Sequence, residues 1–440
     1  MLQPAYFEVD VSDVRDRVMG YVKTYHTFAF FDSHGHQHGT AAHHGNRYAF
    51  VAMAGVVEEV KADINALNAL QEFISKHQRA LNWIGCAISY DLKNELEDVV
   101  STGSAPITFP MVHGFVPEVV FSVDETGLLC VHSAHKDPEE VFSELMATDR
   151  MAYLHSEGFR PIQKIDQESY RVAFDSVLRH LQRGDIYEAT LCQQIVARFD
   201  SCDPASLFKQ LCTYSPNPFS VLYQNDDKAV VCASPERFLQ HDYEQLVSQP
   251  MKGTARRSPV QEEDTQIKEA LAQSSKERSE NVMIVDLVRN DLSKVAARGS
   301  VEVKELFGVQ TFAASHQMVS TIACELKPDV NLKDVLKATF PMGSMTGAPK
   351  ISAMKIIDHL EEFKRGLFSG SIGFFAPGGY YDLNVVIRAI CLDLNKNIAT
   401  ITAGGAITIH CNMESEWQEC LMKLKPQLLA TGIQVEEATA

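Results

Sequence analysis

Four glutamates stand in two pairs at helical spacing. Glu277 and Glu280 lie three apart in KERSENVMIVDLVRND, and Glu416 and Glu419 lie three apart in ESEWQECLMK. Residues three apart on a helix share one face. Two such faces brought together offer four carboxylates, a hard-oxygen site that suits Mg²⁺. The same pattern also serves a plain helix start, because acidic residues favour the first turn. Spacing alone favours the helix-start reading.

A second group is basic and acidic side chains set in apolar strand-like runs: Lys252 in QPMKGT, Arg388 in NVVIRAI, Glu236 in ASPERF and His316 in ASHQMVS. Charged groups in such runs are seldom fully buried unless paired or functional. A third is glycine-rich backbone. Gly404 and Gly405 interrupt the strand pattern ITAGGAITI, where glycine marks a bulge or a close approach to the backbone. FPMGSMTGAPK is a Gly/Ser/Thr turn before a helix, a place for an anion or for an ordinary cap. It lacks the GxxxxGK[ST] spacing of a P-loop.

The elements that must carry these residues alternate irregularly. Residues 1–30 read as strand, short helix and strand. An amphipathic stretch ends near Arg79, and Trp83–Tyr90 reads as a buried strand. From Asp166, a helix N-cap, Tyr170, Phe174, Val177, Leu178 and Leu181 share one face up to a Gly184 C-cap. Strands then fall in IYEATLCQQIVARF, KAVVCAS, QLVSQPMKGT, VEVKEL, MVSTIACEL, GSIGFFA, NVVIRAICLD and ATITAGGAIT. Helices cover about 276–296, a stretch after GAPK, and about 414–428. No regular βαβ rhythm appears, which favours α+β with two packed, largely antiparallel sheets and helices outside. A boundary near residue 165 divides an N-terminal region, 1–165, from a catalytic region, 166–440.

Composition narrows the function classes. The 440 residues carry 40 basic and 57 acidic side chains, a net charge of -17, which disfavours nucleic acid as a partner. No apolar run is long enough to span a bilayer. The N-terminal residues lack a signal pattern, and ten scattered cysteines without a CxxC pair suit a reducing cytoplasm. Cys86, Cys192 and Cys232 sit in apolar runs and read as core. His34, His36, His38, His43 and His44 in SHGHQHGTAAHHGN match no zinc spacing and read as a solvated hairpin tip.

Taken in order, GDIYEATLCQQ, ASPERF, QPMKGTARR, KERSENVMIVDLVRNDLSKVA, FPMGSMTGAPKISAMKIIDHLE, GLFSGSIGFF, LNVVIRAI and ITAGGAITI…ESEWQE resemble the blocks of the chorismate-binding enzymes. The resemblance covers about residues 167–425, and ISYDLKNELE extends it toward the N-terminus. It implies chorismate as substrate and Mg²⁺ held mainly by Glu280 and Glu419, with Glu277 and Glu416 in support. It implies substrate carboxylates on Arg388 and on the backbone of Gly404 and Gly405. Thr254 and His316 would line the ring and pyruvyl site, and Glu236 would protonate the C4 hydroxyl.

Two positions discriminate within the family. Anthranilate-forming members usually carry alanine where this chain has Lys252. In the aminodeoxychorismate-forming branch this lysine resembles a nucleophile that attacks C2. An ordinary lysine, with pKa about 10.4, is neutral in only roughly one molecule in a few thousand at pH 7, so that role requires its pKa to be lowered by burial or nearby cations. Water-adding members carry lysine at position 188, and the other amine-adding members usually carry glutamine. Glu188 departs from both. No L-L-E-S stretch of the feedback-regulated anthranilate branch is present. No GxCxG elbow is present either, so the resemblance implies a separate glutamine amidotransferase subunit as the ammonia source.

Overall fold

Strand Thr27–Asp32 shows how the sequence makes layers. Phe28 and Phe30 pack into one apolar cluster and Ala29 into another, because successive side chains of a strand point to opposite faces. Phe50 and Ala52 against Val51 and Met53 repeat this on the neighbouring strand. Such strands are buried on both faces and therefore read as continuous apolar runs.

In this computed structural model, which describes residues 2–36, 46–124, 126–152, 154, 156–312 and 315–439, those strands belong to a twelve-stranded sheet. Its order is Ala5–Glu8, Leu128–Ser133, Val119–Asp124, Tyr48–Ala54, Thr27–Asp32, Phe219–Asn225, Lys228–Ser234, Ala389–Asp393, Ile398–Ile407, Glu188–Arg198 and Gly347–Ala348, with Arg160–Gln163 also on Glu188–Arg198. A ten-stranded sheet runs Met251–Arg256, Ser315–Cys324, Leu246–Gln249, Arg237–His241, Tyr381–Asn384, Ser371–Phe375, Ile84–Ile88, Val112–Val116 and Glu58–Ala62, with Glu302–Thr311 also on Ser315–Cys324. The strand pairings around the site are antiparallel. The fold is therefore α+β with two large antiparallel sheets, as expected. Both sheets take strands from either side of residue 165.

One core lies between the sheets and joins Val51, Met53 and Tyr223 of the larger to Ala87, Phe115 and Phe374 of the smaller. A second lies under helices Val11–Val22, Gln167–Arg183, Pro204–Tyr214 and Met413–Thr431 on the larger sheet. A third lies under Ala66–Arg79, Ser275–Ser293 and Leu332–Thr339 on the smaller. Helix Gln167–Arg183 has the expected ends: the Asp166 side chain accepts from the Ser169 N–H, and Gly184 closes it at φ 79. Cys86, Cys192 and Cys232 are buried, and all ten thiols are free. Among the described residues no helix is long and apolar enough to cross a membrane.

Several expectations are corrected. NVVIRAICLD is not one strand: Tyr381–Asn384 and Ala389–Asp393 belong to different sheets, and the chain turns between them with Arg388 at φ 54. QLVSQPMKGT is likewise two strands, Leu246–Gln249 and Met251–Arg256. His316 lies inside strand Ser315–Cys324 rather than before it. His38, His43 and His44 fall outside the described residues. His34 and His36 are half-buried rather than solvated, His34 beside Asp32 at 3.8 Å and His36 edge-on to Phe312 at 5.3 Å.

Candidate active site

The site starts from a defect in a strand. Met251 pairs with Val319 and Thr254 with Gln317, so the register slips between them and Lys252 and Gly253 form a bulge. Gly253 has φ +95, and a Cβ there would lie 3.0 Å from Glu277 Oε2 and 3.2 Å from Glu277 Cβ. Glycine thus lets the first turn of helix Ser275–Ser293 close onto the strand. That helix begins at a Ser274 cap whose side chain accepts from the Glu277 N–H. Its two glutamates are brought toward Lys252.

The opposite wall is built in the larger sheet. Strand Glu188–Arg198 pairs with Ile398–Ile407, with Leu191 opposite Gly405 and Cys192 opposite Gly404. A Cβ on Gly404 would lie 2.4 Å from Leu191 O, and one on Gly405 would lie 3.1 Å from Glu416 Oε2. The two glycines therefore serve different contacts, one with the adjoining strand and one with helix Met413–Thr431. Lys423 of that helix donates to Gly404 O at 2.9 Å and lies 2.7 Å from Glu419 Oε1. Arg388, at its chain reversal, donates to Lys423 O at 3.3 Å. Burial lowers its pKa to about 10, opposed by Glu419.

Lys252 and Glu188 meet across the two sheets. Lys252 Nζ lies 2.6 Å from Glu188 Oε1, with the side chains 11% and 0% exposed. The second oxygen, Oε2, is buried without a hydrogen-bond partner among the described residues. Burial pushes the Lys252 pKa down, but Glu188, reinforced by Glu280 and Glu419, outweighs it and holds the amine above its ordinary value. The expected depression by burial or cations is thus overturned: carboxylates surround this lysine, and at rest it is an ammonium.

Glu236 is buried where the chain passes from strand Lys228–Ser234 to Arg237–His241. Burial raises its pKa to about 7, against a hydrogen bond from Ser344 and the charges of Lys252 and Lys423. Ser344 Oγ donates to Glu236 Oε1 at 2.7 Å. A cavity of about 20 Å³, room for one water-sized molecule, abuts Glu236 and Ser344. The FPMGSMTGAPK turn therefore supplies a serine to a carboxyl group, a role its sequence did not disclose.

The four glutamates face one another from helices Ser275–Ser293 and Met413–Thr431. Burial raises Glu280 to about 7 and also raises Glu277 and Glu416. Burial works in the same direction on Glu419, but Lys423 outweighs it and the net shift is downward. Among the described residues, no three acidic, histidine or cysteine side chains converge as a ready-made metal cage. The donor set is all carboxylate oxygen, which fits Mg²⁺ held through one or two carboxylates and completed by water or substrate.

Two expected site residues sit differently. Thr254 Oγ1 donates to Gln317 Oε1 at 2.6 Å, whereas His316, the next residue on that strand, points to the other face. The His316 ring is buried, 3.0 Å from both Thr311 Oγ1 and Asp264 Oδ1. Arg257 in turn donates to Asp264 from Nε at 2.8 Å. This chain fastens helix Gln261–Gln273 to the sheet, and the ring makes no hydrogen bond with Lys252 or Glu236.

The model of the chorismate binding enzyme family matches residues 26–429. Aminodeoxychorismate synthase component 1 of Escherichia coli is 34% identical over 377 residues, 81% of each chain. A probable chloroplastic aminodeoxychorismate synthase of Oryza sativa is 40% identical over 262 residues, 59% of this chain and 29% of that longer one. The crystal structure of anthranilate synthase component I from Streptococcus pneumoniae superposes with a TM-score of 0.75 at 24% identity, covering 87% of this chain and 92% of that one, a likeness of fold. With that match over nearly its whole length, the chain belongs to the chorismate binding enzyme family.

Proposed function

We propose that the protein aminates chorismate at C4 to give 4-amino-4-deoxychorismate. The observation that carries this reading is Lys252, buried 2.6 Å from Glu188 and close enough to Glu236 to shift its pKa. The E. coli and rice relatives are named for that product, which is a precursor for p-aminobenzoate and folate.

In the first half-reaction, Lys252 passes a proton to Glu188, the nearest base, and its free amine attacks C2. The C1=C2 pair shifts to C1=C6, and the C5=C6 pair shifts to C4=C5. The C4–O bond breaks, and Glu236 donates the proton that lets the oxygen leave as water. In the second, ammonia attacks C4, the two double bonds return to C5=C6 and C1=C2, and the C2–N bond to Lys252 breaks. Glu188 returns its proton to Lys252, and Glu236 takes one from the new C4 ammonium. A protonated Glu236 is available at neutral pH because burial raises its pKa to about 7.

Arg388 and the backbone at Gly404 and Gly405 are proposed to receive substrate carboxylates, with Thr254 at the ring. His316 is assigned an indirect role, holding helix Gln261–Gln273. Magnesium on Glu280 and Glu419, with Glu277 and Glu416 in support, would neutralise and anchor a substrate carboxylate. Ammonia is proposed to come from a separate glutamine amidotransferase subunit. Ten free thiols suit a reducing cytoplasm.

The alternative product, anthranilate, requires the amine at C2. Lys252 reaching C2 itself would block that outcome. The test is incubation of purified protein with chorismate, Mg²⁺ and ammonium salt, with products read by mass spectrometry before and after a lyase that aromatises aminodeoxychorismate. Aminodeoxychorismate, converted by the lyase to p-aminobenzoate, supports the reading. Anthranilate refutes it.

A further inference from the structure

Three ammonium groups face the acidic cluster, and they are held unequally. Lys252 is fixed on Glu188 at 2.6 Å and is 11% exposed. Lys423 is 24% exposed and doubly held, by Glu419 at 2.7 Å and by Gly404 O at 2.9 Å. Lys276 is 54% exposed, and among the described residues its ion pairs are with Glu280 Oε1 at 3.9 Å and Glu416 Oε1 at 4.0 Å. It therefore bridges one carboxylate from each of the two helices, at long range and with no second anchor.

Geometry and charge assign this side chain a task. The carboxylates repel one another when no cation lies between them. A long, half-exposed lysine one residue before Glu277 can enter that space and leave it without disturbing a packed core. We propose that Lys276 is a placeholder cation for the acidic cluster: its ammonium bridges Glu280 and Glu416 in the metal-free enzyme, is displaced when a divalent cation binds, and so sets how tightly that cation is held. The inference rests on reading the four glutamates as magnesium ligands. Lys252 is tied to Glu188 outside the cluster, and Lys423, although it pairs with Glu419, is anchored a second time on Gly404 O, so neither is as free as Lys276 to leave.

The experiment is calorimetric titration of MgCl₂ into metal-free full-length protein, alongside melting curves with and without saturating Mg²⁺. It compares wild type with Lys276→Met and Lys276→Arg. With the competing charge removed, Lys276→Met should bind Mg²⁺ roughly tenfold more tightly, because half-exposed charges interact through a high effective dielectric. Its metal-free form should melt below wild type, and saturating Mg²⁺ should close that gap. Lys276→Arg keeps the charge and should stay near wild type. A Lys276→Met dissociation constant equal to or weaker than that of wild type, with no enlarged Mg²⁺-induced rise in melting temperature, overturns the inference. If wild type itself shows neither heat of binding nor a melting shift, the reading of the glutamates as ligands falls first.

Discussion

Replacing Lys252 by methionine keeps the side-chain volume and removes the charge opposite Glu188. The carboxyl group is left with 0% exposure, and its Oε2 already lacks a hydrogen-bond partner among the described residues. An uncompensated buried charge costs about 3–5 kcal/mol. The variant can avoid that cost by protonating Glu188. An ordinary glutamate has a pKa of about 4.3 and each unit is worth about 1.4 kcal/mol, so protonation costs about 3.7 kcal/mol at pH 7 and about 1.6 kcal/mol at pH 5.5. The folded-state pKa of Glu188 in the variant lies above its unfolded value. Stability is therefore retained below about pH 4.3 and lost as pH rises toward the folded value. In Lys252→Met/Glu188→Gln there is no carboxylate to protonate. The stability gap between the single and double variants should thus widen by about 2 kcal/mol from pH 5.5 to pH 7. Urea denaturation of both proteins at the two pH values measures it. A gap that stays constant would mean that Glu188 is solvated, and would refute the buried-pair argument.

Four further outcomes follow from the same geometry. Glu236→Gln should lower kcat by roughly 10²–10⁴-fold, the usual value of a positioned general acid, with chorismate binding by calorimetry little changed. In wild type, kcat/KM should fall as pH rises through about 7, because Glu236 must hold its proton to act and burial places its pKa there; a pH–rate profile of Glu236→Gln should lack that limb. Ser344→Ala removes the hydrogen bond that opposes the effect of burial on Glu236, so the limb should move to higher pH. Gly405→Ala places a Cβ 3.1 Å from Glu416 Oε2. It should weaken Mg²⁺ binding several-fold by calorimetry while leaving the circular dichroism spectrum unchanged.

The sequence disclosed most where one residue type has one local use. Asp166 and Gly184 bound a helix because a carboxylate can cap N–H groups and glycine accepts φ > 0. Gly404 and Gly405 marked a close approach correctly, although the neighbour of Gly405 proved to be a glutamate of the site itself. Contacts between distant segments were hidden. Glu188 and Lys252 are 64 positions apart and lie in different sheets, and no local rule pairs them. Apart from Arg388, the stretch from Val385 to Leu392 is apolar, so periodicity could not reveal that it crosses from one sheet to the other at Arg388. His316 shares a short stretch with Gln317, and only the register with Thr254 shows that the two face opposite ways. Helices Pro204–Tyr214 and Leu332–Thr339, 11 and 8 residues long, are absent from the sequence reading because a short apolar run can be read as strand or helix alike.

The chemistry assigned to Lys252 leaves a covalent trace. Wild-type protein incubated with chorismate and Mg²⁺ without ammonia, then acid-quenched and digested, should carry on Lys252 an added mass of chorismate less one water, and ammonium added before the quench should discharge it as aminodeoxychorismate. An unmodified Lys252 under conditions where ammonium supports full turnover would contradict the covalent role and leave the lysine as an electrostatic partner of Glu188.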